Sequence, residues 1–199
     1  MARPREFDTD TVLEAAMTTF WRDGYESASV SDLVTATGVG RASLYNAFGD
    51  KHGLFEACLR HYAEGRVPLW MGRLADGERG LDDIRAFLSQ LGGVVAASPE
   101  AAPSGCLIMN TSVERGAGDP FVRDMAAEYR ADLADAFRAA LNRALELGEI
   151  EGPIEGRAEV LVLGAMGLFT ALRAGADAAE INRLIAGLEQ LLDSWAGPA

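Results

Sequence analysis

The sequence predicts an all-α fold of nine helices, arranged as a small N-terminal domain followed by a larger C-terminal one. Apolar residues recur with the 3.6-residue period of a helix along the 199 residues. No window alternates between apolar and polar residues as a half-buried strand would. Hydrophobic residues make up 49% and charged residues 24% of the chain, which is ordinary for a globular protein and excludes disorder as the main state.

Three helices are predicted in the N-terminal domain, residues 1–50. The first spans Thr9–Asp23, with Asp8 as its N-cap and Gly24 as its stop. Two short helices follow at Ser31–Thr37 and Arg41–Phe48. Helices this short do not persist alone, so we expect them to pack on the first helix.

The C-terminal domain, residues 51–199, continues the helical pattern. Asp50 caps a long helix reaching about Leu74, which Gly65 and Pro68 should kink or split. Apolar residues recur every four positions from Phe121 to Leu145, which predicts a continuous ridge on one helix face. The remaining predicted helices span residues 81–97, about 105–115, 120–147, about 155–174 and 178–195.

Residues 29–51 have the pattern of a helix-turn-helix, in which the second short helix enters the major groove of DNA. Polar side chains at its N-terminal part can bond base edges or phosphates, and Lys51 adds a cation at the start of the next helix. The predicted DNA-contacting residues are Arg3, Arg5, Ser29, Ser31, Arg41, Ala42, Ser43, Tyr45, Asn46 and Lys51.

Residues 4–62 resemble the N-terminal domain of TetR-family bacterial repressors. The residues that carry the resemblance are Phe20, Gly24, Tyr25, Ser29, Val30, Leu33, Gly38, Val39, Leu44, Tyr45, Phe48, Lys51 and Leu54. The resemblance implies an all-helical dimer that reads a palindromic operator and is pushed out of register by a ligand. It also implies that Tyr45 and Lys51 contact phosphates. Many members have an aromatic residue where this chain has Ala47, and Ala47 is given no such role.

The net charge of −12 is unfavourable for binding nucleic acid. Residues 1–60 hold six Lys and Arg against nine Asp and Glu, or −3. A DNA-binding function therefore requires a few placed cations and helix dipoles. The acidic N-terminal domain keeps an alternative open, namely a small-molecule-binding helical protein without DNA activity.

A pocket for a small-molecule effector is expected among the long helices of the C-terminal domain. Methionine and aromatic side chains there suggest an apolar or aromatic effector, although each of them is equally suited to a core position. Asn110 and Tyr129 are the evident polar groups. The predicted effector-contacting residues are Trp70, Phe87, Cys106, Met109, Asn110, Phe121, Met125, Tyr129, Met166 and Phe169.

Cys106 has two interpretations. With Ser104 as N-cap, Cys106 lies in the first turn of a helix, where the dipole lowers the pKa of a thiol and favours the reactive thiolate. Some TetR-type proteins with a similar G-C-L-x-x-N segment sense electrophiles or oxidants through this cysteine. The alternative is a buried structural residue beside Leu107 and Ile108. Cys58, between Phe55 and Tyr62, is expected in the core.

The last two helices are predicted to form the interface of a homodimer. Apolar residues from Ile181 to Trp195 follow i, i+3, i+4, i+7 spacing, and residues 161–172 are apolar nearly all round. Gly164 and Gly167 would allow close helix approach. The alternative is an amphipathic pair within one subunit. A palindromic site favours the dimer, because it needs two recognition helices about 34–36 Å apart.

The remaining features narrow the class of protein. No nucleophile motif, phosphate loop or acid pair indicates an enzyme, and Cys58 with His61 lacks further metal ligands. We therefore expect no catalytic residues, metal or cofactor. Apolar stretches are too short to span a bilayer and the N-terminus does not resemble a signal peptide, which predicts a cytoplasmic protein without membrane contact. The predicted function is a transcriptional regulator, by expectation a repressor, released from operator DNA by a small apolar or electrophilic effector.

Overall fold

The computed structural model describes residues 7–97 and 105–196, and the side chains of residues 94–97 are not described. These residues form ten α-helices and no strand; Ile150 and Ala196 make an isolated β-bridge. The helices are α1 Thr9–Asp23, α2 Val30–Thr37, α3 Arg41–Phe48, α4 Lys51–Gly65, α5 Val67–Asp76, α6 Leu81–Ala97, α7 Leu107–Arg115, α8 Pro120–Glu146, α9 Glu155–Arg173 and α10 Ala178–Trp195.

The long helix predicted after Asp50 is divided into α4 and α5 at Arg66. Pro68 lies in the first turn of α5, where the missing N–H of proline leaves no helical hydrogen bond unmade. The sequence predicted a kink or split at this place. Counted as one interrupted helix, α4 and α5 give the nine helices that the sequence predicts.

Helices α1 to α3 form a small unit that packs on α4. The carboxylate of Asp8 caps α1, as predicted, and Gly24 ends it with a φ of 82°. Leu33 and Leu44 are each 1% exposed, so one apolar side chain anchors each short helix. Cys58 is fully buried, and its Sγ lies 3.7 Å from the backbone oxygen of Leu13, so α4 is bound directly to α1.

Helices α4 to α10 form the larger unit. Helix α8 is its centre and packs against α5, α6, α7 and α9. The sequence predicted that the apolar residues of α8 at four-residue steps form a ridge on one face. In the structure this row does not stay on one face. Four residues of an α-helix turn through about 400°, so the row drifts by about 40° at each step. Phe121 and Met125 are half-buried, Leu133 and Phe137 are fully buried, and Leu145 is 42% exposed.

Helices α9 and α10 pack against each other through Gly164. A Cβ at this position would lie 2.6 Å from a methyl carbon of Leu188, so any larger residue would require the Leu188 side chain to shift. Gly167 has open space around it within the chain and does not serve this contact. Leu163 is 70% exposed and Leu184 is 43% exposed, which leaves an apolar surface on this pair of helices without a partner in the single chain.

Candidate nucleic-acid interface and effector cavities

Helix α3 presents one polar face and buries the opposite one. Leu44 holds the helix in the core, whereas Arg41, Ala42 and Asn46 are exposed. Ser43 and Tyr45 are half-buried at the margin of this surface. Helix α3 therefore exposes a guanidinium and a small residue in its first turn and an amide in its second, which is the arrangement required to reach base edges in the major groove.

The two serines predicted as DNA contacts lie at the start of α2. Ser29 is the N-cap of the helix, where its hydroxyl accepts a hydrogen bond from the Asp32 N–H and donates one to the Asp32 carboxylate. This hydrogen bond lowers the pKa of Asp32. The hydroxyl of Ser29 is thus engaged within the protein, while Ser31 is exposed.

Two Lys or Arg side chains of residues 7–60, one in α3 and one at the start of α4, form no ion pair with a described residue. The guanidinium of Arg41 lies 5.2 Å from the ring centroid of Tyr45. The Lys51 ammonium lies 4.5 Å from the ring centroid of Tyr25 and donates to the Glu26 carbonyl at 3.4 Å. By contrast, the other cations of residues 7–60, Arg22 and Arg60, are paired with Asp23 and Glu56. The positive charge left for phosphate is thus concentrated beside α3, despite the acidic total. Arg3 and Arg5 lie outside the described residues.

The turn between α1 and α2 is held by side chains of the larger unit. The carboxylate of Glu114, near the end of α7, accepts hydrogen bonds from the backbone N–H groups of Tyr25 at 3.1 Å and Glu26 at 3.0 Å. Its neighbour Arg115 pairs with the Glu26 carboxylate and lies 4.0 Å from the Tyr25 ring centroid. Burial raises the pKa of Tyr25.

A second tether joins the end of α9 to the end of α1. The guanidinium of Arg173 donates to the backbone oxygens of Trp21 at 2.7 Å and of Arg22 at 3.4 Å. The end of α1 and the turn that follows it are therefore held by both α7 and α9. No sequence pattern pointed to Glu114, Arg115 and Arg173, because their partners are 88 to 152 residues away along the chain.

Two cavities of similar size lie among the described residues of the helices after α3, one of them reaching the α1–α2 turn, whereas the sequence predicted one pocket. The first, about 510 Å³, lies between α4, α7 and α8. Of the predicted effector-contacting residues, Phe121, Met125 and Tyr129 line it. The residues around it that were not predicted are Arg60, Ala63, Glu64, Val67, Ile108, Asp124, Glu128 and Asp132. The charged members of this set were missed, although Asp124, Glu128 and Asp132 recur at the same four-residue spacing as their apolar neighbours on α8.

The second cavity, also about 510 Å³, lies where α7 and α9 meet the α1–α2 turn. Met109, Asn110, Met166 and Phe169 line it, together with Glu114 and Arg173 among others. Glu114 and Arg173 bind the small unit, so this cavity lies beside the contact between the two units.

An aromatic cluster separates the two cavities. The ring of Trp70 lies 5.9 Å from that of Tyr129, which lines the first cavity, and 5.7 Å from that of Phe169, which lines the second. Phe87, 2% exposed, packs on the same indole. Trp70, Phe87 and Cys106 line neither cavity, so these three predicted contacts lie in the packed core between the two sites.

The environment of Cys106 differs from that expected for a reactive thiol. Cys106 is itself the N-cap of α7 rather than a first-turn residue, and it is 1% exposed. Burial raises its pKa, and interactions with the Tyr129 and Tyr62 hydroxyls oppose that shift only in part. The structure therefore corrects the lowered pKa that the helix dipole suggested; Ser104, the predicted N-cap, lies outside the described residues. The pKa of Cys58 is raised by burial as well.

In the parts of the chain that the structure describes, no group of three or more His, Cys, Asp or Glu side chains is placed to hold a metal ion. None of the helices described is long and apolar enough to cross a membrane.

The three-helix unit exposes the polar face of α3 beside two cations that form no ion pair, and it is attached to a larger helical unit with cavities. These features define a DNA-binding regulator of the helix-turn-helix class. Residues 12–58 match the family model of bacterial regulatory proteins of the tetR family, and residues 80–188 match the model of the tetracyclin repressor-like C-terminal domain. The chain belongs to the TetR family of bacterial transcriptional regulators.

Relatives and solved structures agree with this assignment. An uncharacterised HTH-type transcriptional regulator of Bacillus subtilis, YezE, is 34% identical over 152 residues, which is 76% of this chain and 77% of the relative. The HTH-type transcriptional repressor ComR of Escherichia coli is 33% identical over 59% of this chain and 56% of its own. A cysteine mutant of the TetR-family regulator CifR, solved with 26-base-pair operator DNA, aligns over 97% of this chain and 100% of its own, with 29% identity and a TM-score of 0.79.

As members of this family do, the chain acts as a homodimer that binds DNA and a small-molecule effector. The exposed apolar residues Leu163 and Leu184 on α9 and α10 provide the surface that the predicted dimer requires.

Proposed function

We propose that this chain is a repressor whose dimer binds a palindromic operator through two copies of α3 and leaves it when a small effector occupies the larger unit. Arg41, Ala42, Ser43 and Asn46 would contact bases or phosphates, and Tyr45 with Lys51 would contact the backbone. The exposed polar face of α3 beside its two unpaired cations is the observation that carries this proposal.

The route from effector to DNA is proposed to run through α4. This helix lines the first cavity with Arg60, Ala63 and Glu64, while its N-terminal residue Lys51 contacts the α1–α2 turn. A ligand that displaces α4 would therefore change the spacing of the two recognition helices. Such coupling is reciprocal, so operator DNA must weaken effector binding by the same factor as effector weakens operator binding.

For the division of the chain we assign residues 1–50 to DNA binding and residues 51–199 to effector binding and dimerisation. Helix α4 begins at this boundary and packs on both units, so it is the element that joins them. The relatives are transcriptional regulators, which supports a non-enzymatic protein. A regulator of chromosomal genes acts where the DNA is, and this supports a cytoplasmic location.

The test is a fluorescence-anisotropy titration of the dimer against a duplex from the gene's own upstream region, repeated over a range of salt concentrations. We expect affinity to fall steeply with salt, since each phosphate contact releases a counterion. A scrambled duplex of equal length is the control. Equal affinity for both duplexes, or none for either, would remove the repressor assignment.

The negative charge of residues 1–60 favours one other function, a helical small-molecule-binding protein that no longer binds DNA. Residues 1–60 carry −3, with six cations against nine carboxylates. The same titration separates the two functions, because this alternative predicts that ligands bind while no duplex does.

A further inference from the structure

We propose that the first cavity, between α4, α7 and α8, binds an amphipathic organic cation, that is, an apolar or aromatic body bearing one amine or quaternary ammonium group. The inference rests on the proposed function only in taking this cavity as the effector site. It replaces the small apolar or electrophilic effector expected from the sequence with a ligand of defined charge.

The charge of the lining is the first argument. One cation, Arg60, and four carboxylates surround the cavity, which leaves −3. Asp124 is paired with Arg123 at 3.2 Å. The other three, Glu64, Glu128 and Asp132, are exposed and have no ion pair with any cation in the described part of the chain. Like charges gathered around a concave surface raise the local concentration of a ligand of opposite sign.

The cavity wall already binds a cation. The guanidinium of Arg60 lies 4.5 Å from the centroid of the Phe121 ring, a distance at which the ring face attracts positive charge. Arg60 is balanced separately by Glu56, at 3.0 Å. The guanidinium therefore marks a position where a ligand cation is stabilised by Phe121, and it does not neutralise the three remaining carboxylates.

The floor of the cavity suits the rest of such a ligand. Val67, Ile108, Met125 and Tyr129 supply an apolar surface. Tyr129 is 3% exposed, and its hydroxyl has no hydrogen bond of normal geometry, although the Cys106 thiol is near enough to affect its pKa. A buried hydroxyl with only the weak interaction of a thiol is poorly satisfied, which is costly, and a ligand that reaches it would remove that cost. A volume of about 510 Å³ lies within the range of cavities that hold drug-sized molecules.

The second cavity lacks these features, because its charges are used within the protein. Glu114 accepts two backbone hydrogen bonds, Arg173 donates to two carbonyls, and Asp23 pairs with Arg22. It therefore has no comparable preference for a cation.

The experiment compares two probes that differ by one charge: a fluorescent dimethylaminostyryl N-methylpyridinium dye and its unmethylated, neutral pyridine parent at mildly alkaline pH. Binding to the full-length dimer is followed by dye fluorescence. We expect the cation to bind more tightly than the neutral parent. In the double variant Glu128→Gln/Asp132→Asn, the cation should lose affinity by about tenfold, the combined effect of two partly exposed charges, while the neutral parent should be unaffected.

The matched control is Glu146→Gln/Glu151→Gln, which removes the same charge from exposed positions at the far end of α8 and beyond it. Thermal unfolding of each variant verifies that it is folded. Tighter binding of the neutral probe, or equal loss in both double variants, would overturn the proposal.

A second readout separates this proposal from the proposed function. If the dye binds with the expected dependence on charge and yet leaves operator binding unchanged, the ligand class stands and effector-controlled release fails. If an uncharged compound displaces the operator while the dye does not bind, release stands and the ligand class fails.

Discussion

The carboxylate of Glu114 on α7 accepts a hydrogen bond of 3.1 Å from the backbone N–H of Tyr25, which lies in the turn between α1 and α2. This bond joins a helix of the effector-binding unit to the DNA-binding unit at the same turn that Lys51 of α4 contacts. A second hydrogen bond, from the N–H of Glu26, is made by the other oxygen of the same carboxylate. The orientation of the turn thus depends on the position of α7 as well as on that of α4.

Glu114→Ala removes both hydrogen bonds and leaves the two N–H groups without their acceptor. We expect the free energy of unfolding to fall by about 1 kcal/mol, within the range for hydrogen bonds to an exposed charged group. Amide hydrogen exchange at Tyr25 and Glu26 should rise toward the unprotected rate. The control is Glu146→Ala, an exposed position on α8. Unchanged exchange at both amides would show that the tether does not hold the turn.

Arg41→Ala removes the cation at the start of α3. Operator binding should weaken by about 1–3 kcal/mol, and discrimination at one base position should relax, because arginine is suited to guanine edges. Tyr45→Phe combined with Lys51→Gln should instead weaken binding to all duplexes alike and reduce the salt dependence by about one phosphate contact.

The comparison is made by anisotropy with the operator and with single-base variants of it. Arg123→Ala, which removes an exposed arginine of α8, serves as the charge-matched control and should bind as the unmodified protein does. If Arg41→Ala and Arg123→Ala bind the operator with equal affinity, the surface that reads DNA does not include Arg41.

Cys106 should react slowly with iodoacetamide in the folded protein at neutral pH. The thiol is 1% exposed and burial raises its pKa, so little thiolate is present and little of it is accessible. Peptide mapping by mass spectrometry distinguishes its labelling from that of Cys58. Labelling of Cys106 at the rate of an unfolded peptide would restore the redox or electrophile sensor as an explanation.

The same pKa shift has a consequence for stability. An unfolded thiol ionises near its usual pKa of about 8.5, whereas the buried thiols of Cys58 and Cys106 stay protonated. The free energy of unfolding is therefore unaffected by ionisation of these thiols below that pH. It falls as the pH rises above that value, because only the unfolded chain gains from ionisation. Stability measured from neutral to strongly alkaline pH should decline accordingly.

Leu163→Glu should convert the dimer to a monomer. Leu163 is 70% exposed in the single chain, and burying one leucine contributes about 1.5–3 kcal/mol. A two-fold interface contains the residue twice, so the dissociation constant of the dimer should rise by about a hundredfold or more. Sedimentation velocity measures the change, and operator affinity should fall with it.

Leu147→Glu is the matched control, since Leu147 is 58% exposed and lies between α8 and α9. This variant should remain a dimer. Dissociation of both variants, or of neither, would contradict an interface on the exposed face of α9.

The amino-acid sequence by itself determined the helices and the recognition element. The bounds of α3, α6 and α10 agree with those predicted, because caps, glycines and apolar spacing act over distances of a few residues. The residues that carry the family resemblance are also local to one segment, so the DNA-binding class was readable without a structure.

Only the tertiary structure decided how the effector-binding unit is built. A row of residues at four-residue spacing drifts around α8. The predicted pocket residues of α8 line one cavity, those of α7 and α9 line another, and Trp70 lies between the two. Burial raised the pKa of Cys106 where the helix dipole had suggested a lower one. The hydrogen bond between Glu114 and Tyr25 joins positions 89 residues apart, and no local pattern specifies such a pair, since it exists only after the helices have packed.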